Sequence, residues 1–264
     1  MIKSAYFPNK TFTTKKELFK ELKDNKKALI DLKKATILNS DGLTSKTIKL
    51  EQNAVKGLVM DSDYSYHVIN TTKYLDSHMD VHMDGIWNKS INEQQGKVYF
   101  LADHDMSIKS IIAHPKDVEM SVQDMEWKSL GREYAGSTQA LIFKVKKDAI
   151  VMPEALSIIE NKINIEHSIR MQYVKIDLAI YDDSEEYEEE RKVWDSEIEK
   201  IANRERALEE GYFWRVSEAK IAQEGSMVLR GSNDATPILE QKEVVNNPIE
   251  VKEVKKDIFY HYVI

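Results

Sequence analysis

The sequence predicts a mainly β domain with flanking helices, an α+β fold. Three observations carry that expectation. Short runs rich in β-branched and aromatic residues recur between residues 35 and 228, punctuated by turn-forming stretches such as Asn39-Ser-Asp-Gly42. Helical signatures are confined to three separate segments, 15–27, 153–161 and 182–210. The 264 residues are 42% hydrophobic and contain no cysteine, so the core forms without disulfide staples.

Thr14-Lys-Lys-Glu17 reads as a capping box, and Leu18, Phe19 and Leu22 follow it at helical spacing. The helix over 15–27 is amphipathic and basic, which suits an acidic partner or the protein's own body. Runs at 35–38, 46–50, 66–72, 97–102, 111–113 and 141–145 read as strands, the fifth ending at His114-Pro115. A short helix fits 153–161, and 163–180 is the longest extended segment, with a bulge or bend. Residues 182–210 lack Gly and Pro and read as an acidic helical insertion that Gly211 ends. Strand composition returns at 212–216. Residues 231–234 and Pro237 read as a turn and an exit from the core, and 241–264 as a weakly ordered extension with a last strand at 258–264. The organisation expected is a basic arm over 1–34, a main domain over 35–240 and a C-terminal extension over 241–264.

Lys and Arg total 38 against 45 Asp and Glu, a formal charge of −7 that argues against a general nucleic-acid binder. The imbalance is local: residues 1–34 carry ten lysines and four acids, whereas 182–190 carry seven acids and no base. No run approaches the length of a membrane span, and the first residues lack the apolar region of a signal peptide, so a cytosolic chain is expected. The absence of cysteine excludes a cysteine nucleophile and thiolate metal sites.

Four segments hold polar groups in apolar surroundings. On a strand, Ile163, Ile165, His167, Ile169, Met171 and Tyr173 share one face, and Asn164, Glu166, Ser168, Arg170 and Gln172 the other. Ser168 is either filler on a solvated face or a nucleophile that needs a base, with Arg170 as an oxyanion donor. His104 ends the apolar run 98–102 and is the candidate base, or else an edge histidine bonded to a carbonyl. Its neighbours Asp103 and Asp105 point away on a strand. Glu224, between Ile221-Ala222 and Met227-Val228, is the candidate orienting carboxylate, or else pairs with Arg215 or Arg230. The rival chemistry is metal: Asp76, His78, Asp80, His82 and Asp84 share one parity, and His104 and His114 complete a set of nitrogen and oxygen donors.

The order of these segments resembles the prohead maturation serine proteases of tailed bacteriophages, distant relatives of the herpesvirus capsid maturation protease. The segment 70–90 resembles the stretch ahead of the base, 98–104 the strand delivering the histidine, and 167–176 the nucleophile strand. The segment 220–233 with Thr236-Pro237 resembles the closing strand and its turn. The resemblance spans about residues 14–238 and implies a herpesvirus-protease-like β-barrel. It implies Ser168 as nucleophile, His104 as base and Glu224 as third member, with His167 and His78 as histidine alternatives and Arg170 in support. It implies no cofactor and no resident metal. Substrates and partners would be the major capsid protein, the scaffold protein, the portal and the protease itself. They would meet in the host cytoplasm inside the assembling procapsid, with no membrane or direct nucleic-acid role. Three departures stand out: Arg170 occupies a position where glycine is common, Gly225 stands where a larger residue is expected, and the 182–210 insertion is long. A non-catalytic capsid scaffold protein and a metal-dependent hydrolase are the alternative readings.

Overall fold

The computed structural model describes residues 1–39, 48–50, 60–230 and 236–241; the expectations for 40–47, 231–235 and 242–264 lie outside them. β1 (Ile2–Lys3) and β2 (Thr11–Phe12) pair antiparallel. α1 (Lys15–Asp24) starts at Thr14, whose hydroxyl accepts the Glu17 N–H at 3.3 Å. The Glu17 carboxylate returns to the Thr13 N–H at 2.8 Å, so the capping box closes one residue before the cap. α2 (Lys26–Ala35) begins after Asn25, so the helix expected over 15–27 is two helices. Leu29 and Lys33, one turn apart, carry the buried face through to Ala35, leaving only β3 (Leu38–Asn39) of the strand expected at 35–38. Leu18, Phe19 and Leu22 belong to the main core cluster, and Lys23 and Lys26 reach Glu190 at 3.4 and 2.6 Å. The basic helices therefore dock on the protein's own acidic segment.

The chain continues through β4 (Ile48–Leu50), β5 (Tyr64–Thr71), β6 (Asp80–His82), α3 (Asn88–Gln94), β7 (Tyr99–Ala102) and β8 (Ile111–Ala113). β9 (Val118–Glu126) and β10 (Ser137–Lys146) precede α4 (Pro153–Glu160) and the long β11 (Glu166–Ile180). The acidic insertion folds as α5 (Glu188–Glu197) and α6 (Arg204–Glu210), and Gly211 ends it in the left-handed conformation at φ 79°. β12 (Tyr212–Val228) and β13 (Ile238–Gln241) complete the described elements. β13 corrects the expected exit at Pro237: the Pro237 carbonyl accepts the Val68 N–H at 3.0 Å, and the chain enters a sheet beside β5.

Two main sheets result, ordered β4-β13-β5-β10-β9 and β3-β11-β12-β7-β8. β12 organises the second. It pairs antiparallel with β11 along its length, and parallel on its other edge with β6 through Trp214–Val216 and with β7 through Glu224–Met227. Ile69, Leu141, Phe143 and Val145 from the first sheet meet Phe100, Ile169, Met171 and Met227 from the second in one core. Phe100 and Phe143 meet edge to face with centroids 6.1 Å apart.

The fold is thus mixed α+β, and the closed barrel is corrected: among the described residues the strands form open sheets. The reason is visible at the margins of the second sheet, which ends on β3 and β8, strands of two and three residues that pair no further among the described residues. Gly225 also acquires a physical reason. A Cβ there would lie 2.7 Å from Phe143 Cε2 and 3.0 Å from Ile69 Cγ2, so the approach of the sheets admits no larger residue. No helix among the described residues is long and apolar enough to cross a membrane.

Candidate active site

Ser168 lies near the start of β11, opposite Ser226 in the register with β12. Residues on both sides of the strand are buried from Glu166 to Ile169, so the face expected to be solvated is covered here. Alternation emerges only further on, at Tyr173 buried against Gln172 exposed. Ser168 is fully buried, with a relative exposure of 0%.

His104 is not carried by the strand itself, which corrects the expectation for residues 98–104. β7 ends at Ala102, and Asp103 and His104 both adopt left-handed backbone, φ 54° and 55°. The Asp105 N–H returns to the Ala102 carbonyl at 3.1 Å, closing a turn with both central residues at positive φ. Asp and His tolerate this conformation better than most residues. The turn is fastened to β12 by the Asp103 N–H on the Met227 carbonyl at 2.9 Å and the His104 N–H on Ser226 Oγ at 3.1 Å.

Glu224 reaches the same place through an irregularity in β12. The register steps from Ile169 opposite Gly225 to Met171 opposite Ile221, so three residues face Arg170 alone, and Gln223 takes φ 72°. The local bend brings Glu224 Oε1 within 2.6 Å of His104 Nδ1, while His104 Nε2 stands 2.6 Å from Ser168 Oγ. Three residues spread over 120 positions of sequence form one hydrogen-bonded chain. With the carboxylate accepting from Nδ1–H, the Nε2 lone pair faces the Ser168 hydroxyl, the arrangement a general base needs. Glu224 has neither expected arginine partner: Arg215 pairs with Glu197 and Asp177. Its second oxygen accepts the Ser226 hydroxyl at 2.7 Å. Ser226 shares the parity of Glu224, which places both on one strand face, and carries no other local signal of a role.

The histidine alternatives lie elsewhere. His167 faces away from Ser168 into the space between the sheets, with Nδ1 2.8 Å from the Thr236 carbonyl and Nε2 3.0 Å from His67 Nδ1. Ser65 Oγ lies 2.9 Å from His67 Nε2. Burial lowers the His167 pKa to about 4 and that of His67 well below the usual histidine range, so both rings are neutral at neutral pH. His78 is half-buried, and its carbonyl accepts the Tyr6 hydroxyl at 2.5 Å. Arg170 is half-buried, and its buried Nε makes no hydrogen bond; none joins it to Ser168, His104 or Glu224 among the described residues.

The acidic and histidine stripe from Asp76 to Asp84 is not an extended face. Met79 at φ 61° and the Asp76 N–H on the Asp80 carbonyl curl the chain, and only Asp80–His82 is strand. Its buried members have other partners. Lys33 Nζ lies 2.6 Å from Asp80 Oδ1, the Tyr173 hydroxyl donates to Asp80 Oδ2 at 2.7 Å, and His82 sits between Asn70 and that hydroxyl. Asp76 Oδ1 accepts the N–H groups of His78 and Asp80, both at 2.9 Å. Burial and the neighbouring Asp80 charge push the Asp76 pKa up to about 8. His114 is exposed, and among the described residues no group of three or more His, Asp and Glu side chains is placed to hold a metal ion.

The site defines the class of arrangement, a serine hydroxyl, an imidazole and a carboxylate in series. No family model, curated protein or solved structure matches the chain.

Proposed function

We propose that this protein is a serine endopeptidase of the prohead maturation type, cleaving procapsid proteins and itself. The observation that carries the reading is the continuous chain Ser168 Oγ–His104–Glu224 with both contacts at 2.6 Å. In the reaction, Ser168 Oγ attacks the scissile carbonyl as His104 Nε2 takes its proton. The tetrahedral oxyanion collapses, His104 gives the proton to the leaving amine, and an ester to Ser168 remains. Water then enters, His104 accepts a proton from it, and in the second collapse His104 returns that proton to Ser168 Oγ as the acid is released. Glu224 holds the Nδ1 proton and steadies the imidazolium throughout. Arg170, two residues beyond the nucleophile with an unused buried donor, is the side chain available to support the oxyanion together with backbone N–H groups. The herpesvirus-protease-like form of the sheets and the procapsid partners, scaffold, major capsid protein and portal, belong to this reading by resemblance. Confinement inside a shell would raise the local concentration of such substrates.

A second reading has its own observation. Ser168 is fully buried, so substrate reaches it only after something over it moves. A non-catalytic capsid protein would retain the same residues as a satisfied polar cluster. One experiment separates the two: intact-mass time courses of wild type and Ser168→Ala, incubated with the phage's procapsid proteins. Discrete fragments from wild type alone are expected. Equal cleavage by both would remove Ser168 as nucleophile, and no cleavage by either would favour the structural reading.

A further inference from the structure

We infer that Ser226 is a positioning residue for this triad, fixing both the direction in which Glu224 faces and the place where His104 stands; the inference rests on the proposed serine-hydrolase reading. It starts from hydrogen counting. A serine hydroxyl has one proton and two lone pairs. The His104 backbone N–H, 3.1 Å away, only donates, so Ser226 Oγ accepts there. Glu224 Oε2, 2.7 Å away, accepts, so the single Ser226 proton points at it. With Oε1 on His104 Nδ1, a ring of hydrogen bonds closes. The main chain of His104 is tied to Glu224 through Ser226, and its imidazole is tied to the same carboxylate directly.

Each link matters for a buried site. Glu224 is 0% exposed, so no bulk water compensates an oxygen without a donor, and each of its two oxygens needs one from the protein. Turning the carboxylate off His104 would break two charge-assisted bonds instead of one. The His104 N–H belongs to the second of two consecutive left-handed residues, a backbone that side chains with a Cβ resist. Without Ser226, that turn would rest on the backbone bonds from Asp105 to Ala102 and from Asp103 to Met227.

Placement supports the same role. Ser226 is the direct register partner of Ser168, and period two puts it on the strand face of Glu224. Nucleophile and clamp therefore sit in one row of the sheet. A residue needed only to fill space would be met by alanine, yet both hydrogen bonds of this hydroxyl go to members of the triad. The other carboxylates beside His104 are its sequence neighbours Asp103 and Asp105, and Asp105 is engaged by Ser107 and Ser110.

The test needs no knowledge of the natural substrate. Full-length wild type, Ser226→Ala and Ser226→Thr are reacted with a small alkyl fluorophosphonate from about pH 5 to about pH 9, the range that brackets imidazole titration. Intact mass and peptide mapping read the rate at Ser168, and thermal melts run alongside. Ser226→Ala is expected to label about tenfold to a hundredfold more slowly. Its acid limb should move to higher pH, because a carboxylate relieved of a donor holds the imidazole proton more firmly. Ser226→Thr, which keeps the hydroxyl, should recover both. A wild-type rate and profile in Ser226→Ala would overturn the role of Ser226 and leave the serine reading intact. A slower rate with lowered melting and an unmoved profile would reduce Ser226 to a structural residue and overturn the inference. If Ser226→Ala does not fold, Ser226→Val is set against Ser226→Thr, which has the same shape and keeps the donor, and a wild-type profile in Ser226→Val would overturn the role equally. Wild type left unlabelled at Ser168 would overturn the serine reading, and the inference with it.

Discussion

Replacing Gly225 with alanine tests how tightly the site depends on the approach of the two sheets. The added Cβ would stand 2.7 and 2.9 Å from ring carbons of Phe143 and 3.0 Å from Ile69 Cγ2. Relaxed carbon contacts begin near about 3.5 Å, so the closest falls short by roughly 0.8 Å. Phe143 is fully buried and packed edge to face on Phe100, so its ring has no open space to swing into. The sheets must part or β12 must shift. Overpacking of this kind costs about 1–3 kcal/mol. At roughly 2–4 °C per kcal/mol for a chain of this size, the melting temperature should fall by about 2–12 °C. A second effect follows from position, because Gly225 sits between Glu224 and Ser226 and opposite Ile169, the neighbour of Ser168. A displacement of a few tenths of an ångström there should slow fluorophosphonate labelling of Ser168 by about tenfold or more. Gly96→Ala is the control: its Cβ meets nothing within 4 Å, but its φ of +74° strains an alanine, so it should lower stability without slowing labelling. Unchanged melting in Gly225→Ala would refute the close-approach argument. Lowered melting with unchanged labelling would refute the coupling between sheet packing and the triad.

Two further expectations come from buried titrating groups, read by denaturant unfolding at several pH values. Folded Asp76 keeps its proton up to about pH 8, whereas the unfolded carboxyl releases it near pH 4, so stability should be lost as pH rises between those values. Asp76→Asn keeps an oxygen for both N–H donors and cannot ionise. It should match wild type near pH 4 and exceed it at pH 8, by on the order of 5 kcal/mol as an upper bound; parallel stability curves would refute this. The neutral His67–His167 pair has the opposite sign. Depressed folded pKa values mean stability is complete above about pH 6.5 and lost as pH falls towards 4, by about 3 kcal/mol for His167 alone. His67→Gln still offers a donor to His167 Nε2 and should flatten that slope by about one proton; an unchanged slope would refute the neutral pair.

Much of the local structure is legible in the sequence because it depends on neighbours within a turn or two. Thr14 and Glu17 mark the start of α1, Pro153 lies at the start of α4, and Gly211 supplies the left-handed stop after α6. Period two in β11 separates His167 from Ser168, and the structure sends them to opposite sides. Ser168, His104 and Glu224 were each identifiable as polar groups in apolar runs, but the distances among them depend on pairings that no local signal encodes.

Tertiary structure decided the rest. The left-handed turn at Asp103 and His104 is held by bonds to a strand more than a hundred residues later, and the irregularity that presents Glu224 exists only against Arg170 on β11. Whether a strand face meets solvent is likewise a matter of packing: period two marks the Ser168 face as polar, and only the tertiary structure buries it. Alternating parity joined Asp76 to Asp84 on paper. A positive φ at Met79 curls that stripe, and a lysine from α2 pairs with Asp80 inside it. The sequence by itself determined which side chains could do chemistry; long-range pairing and desolvation decided which of them meet, because both are set by residues far away along the chain.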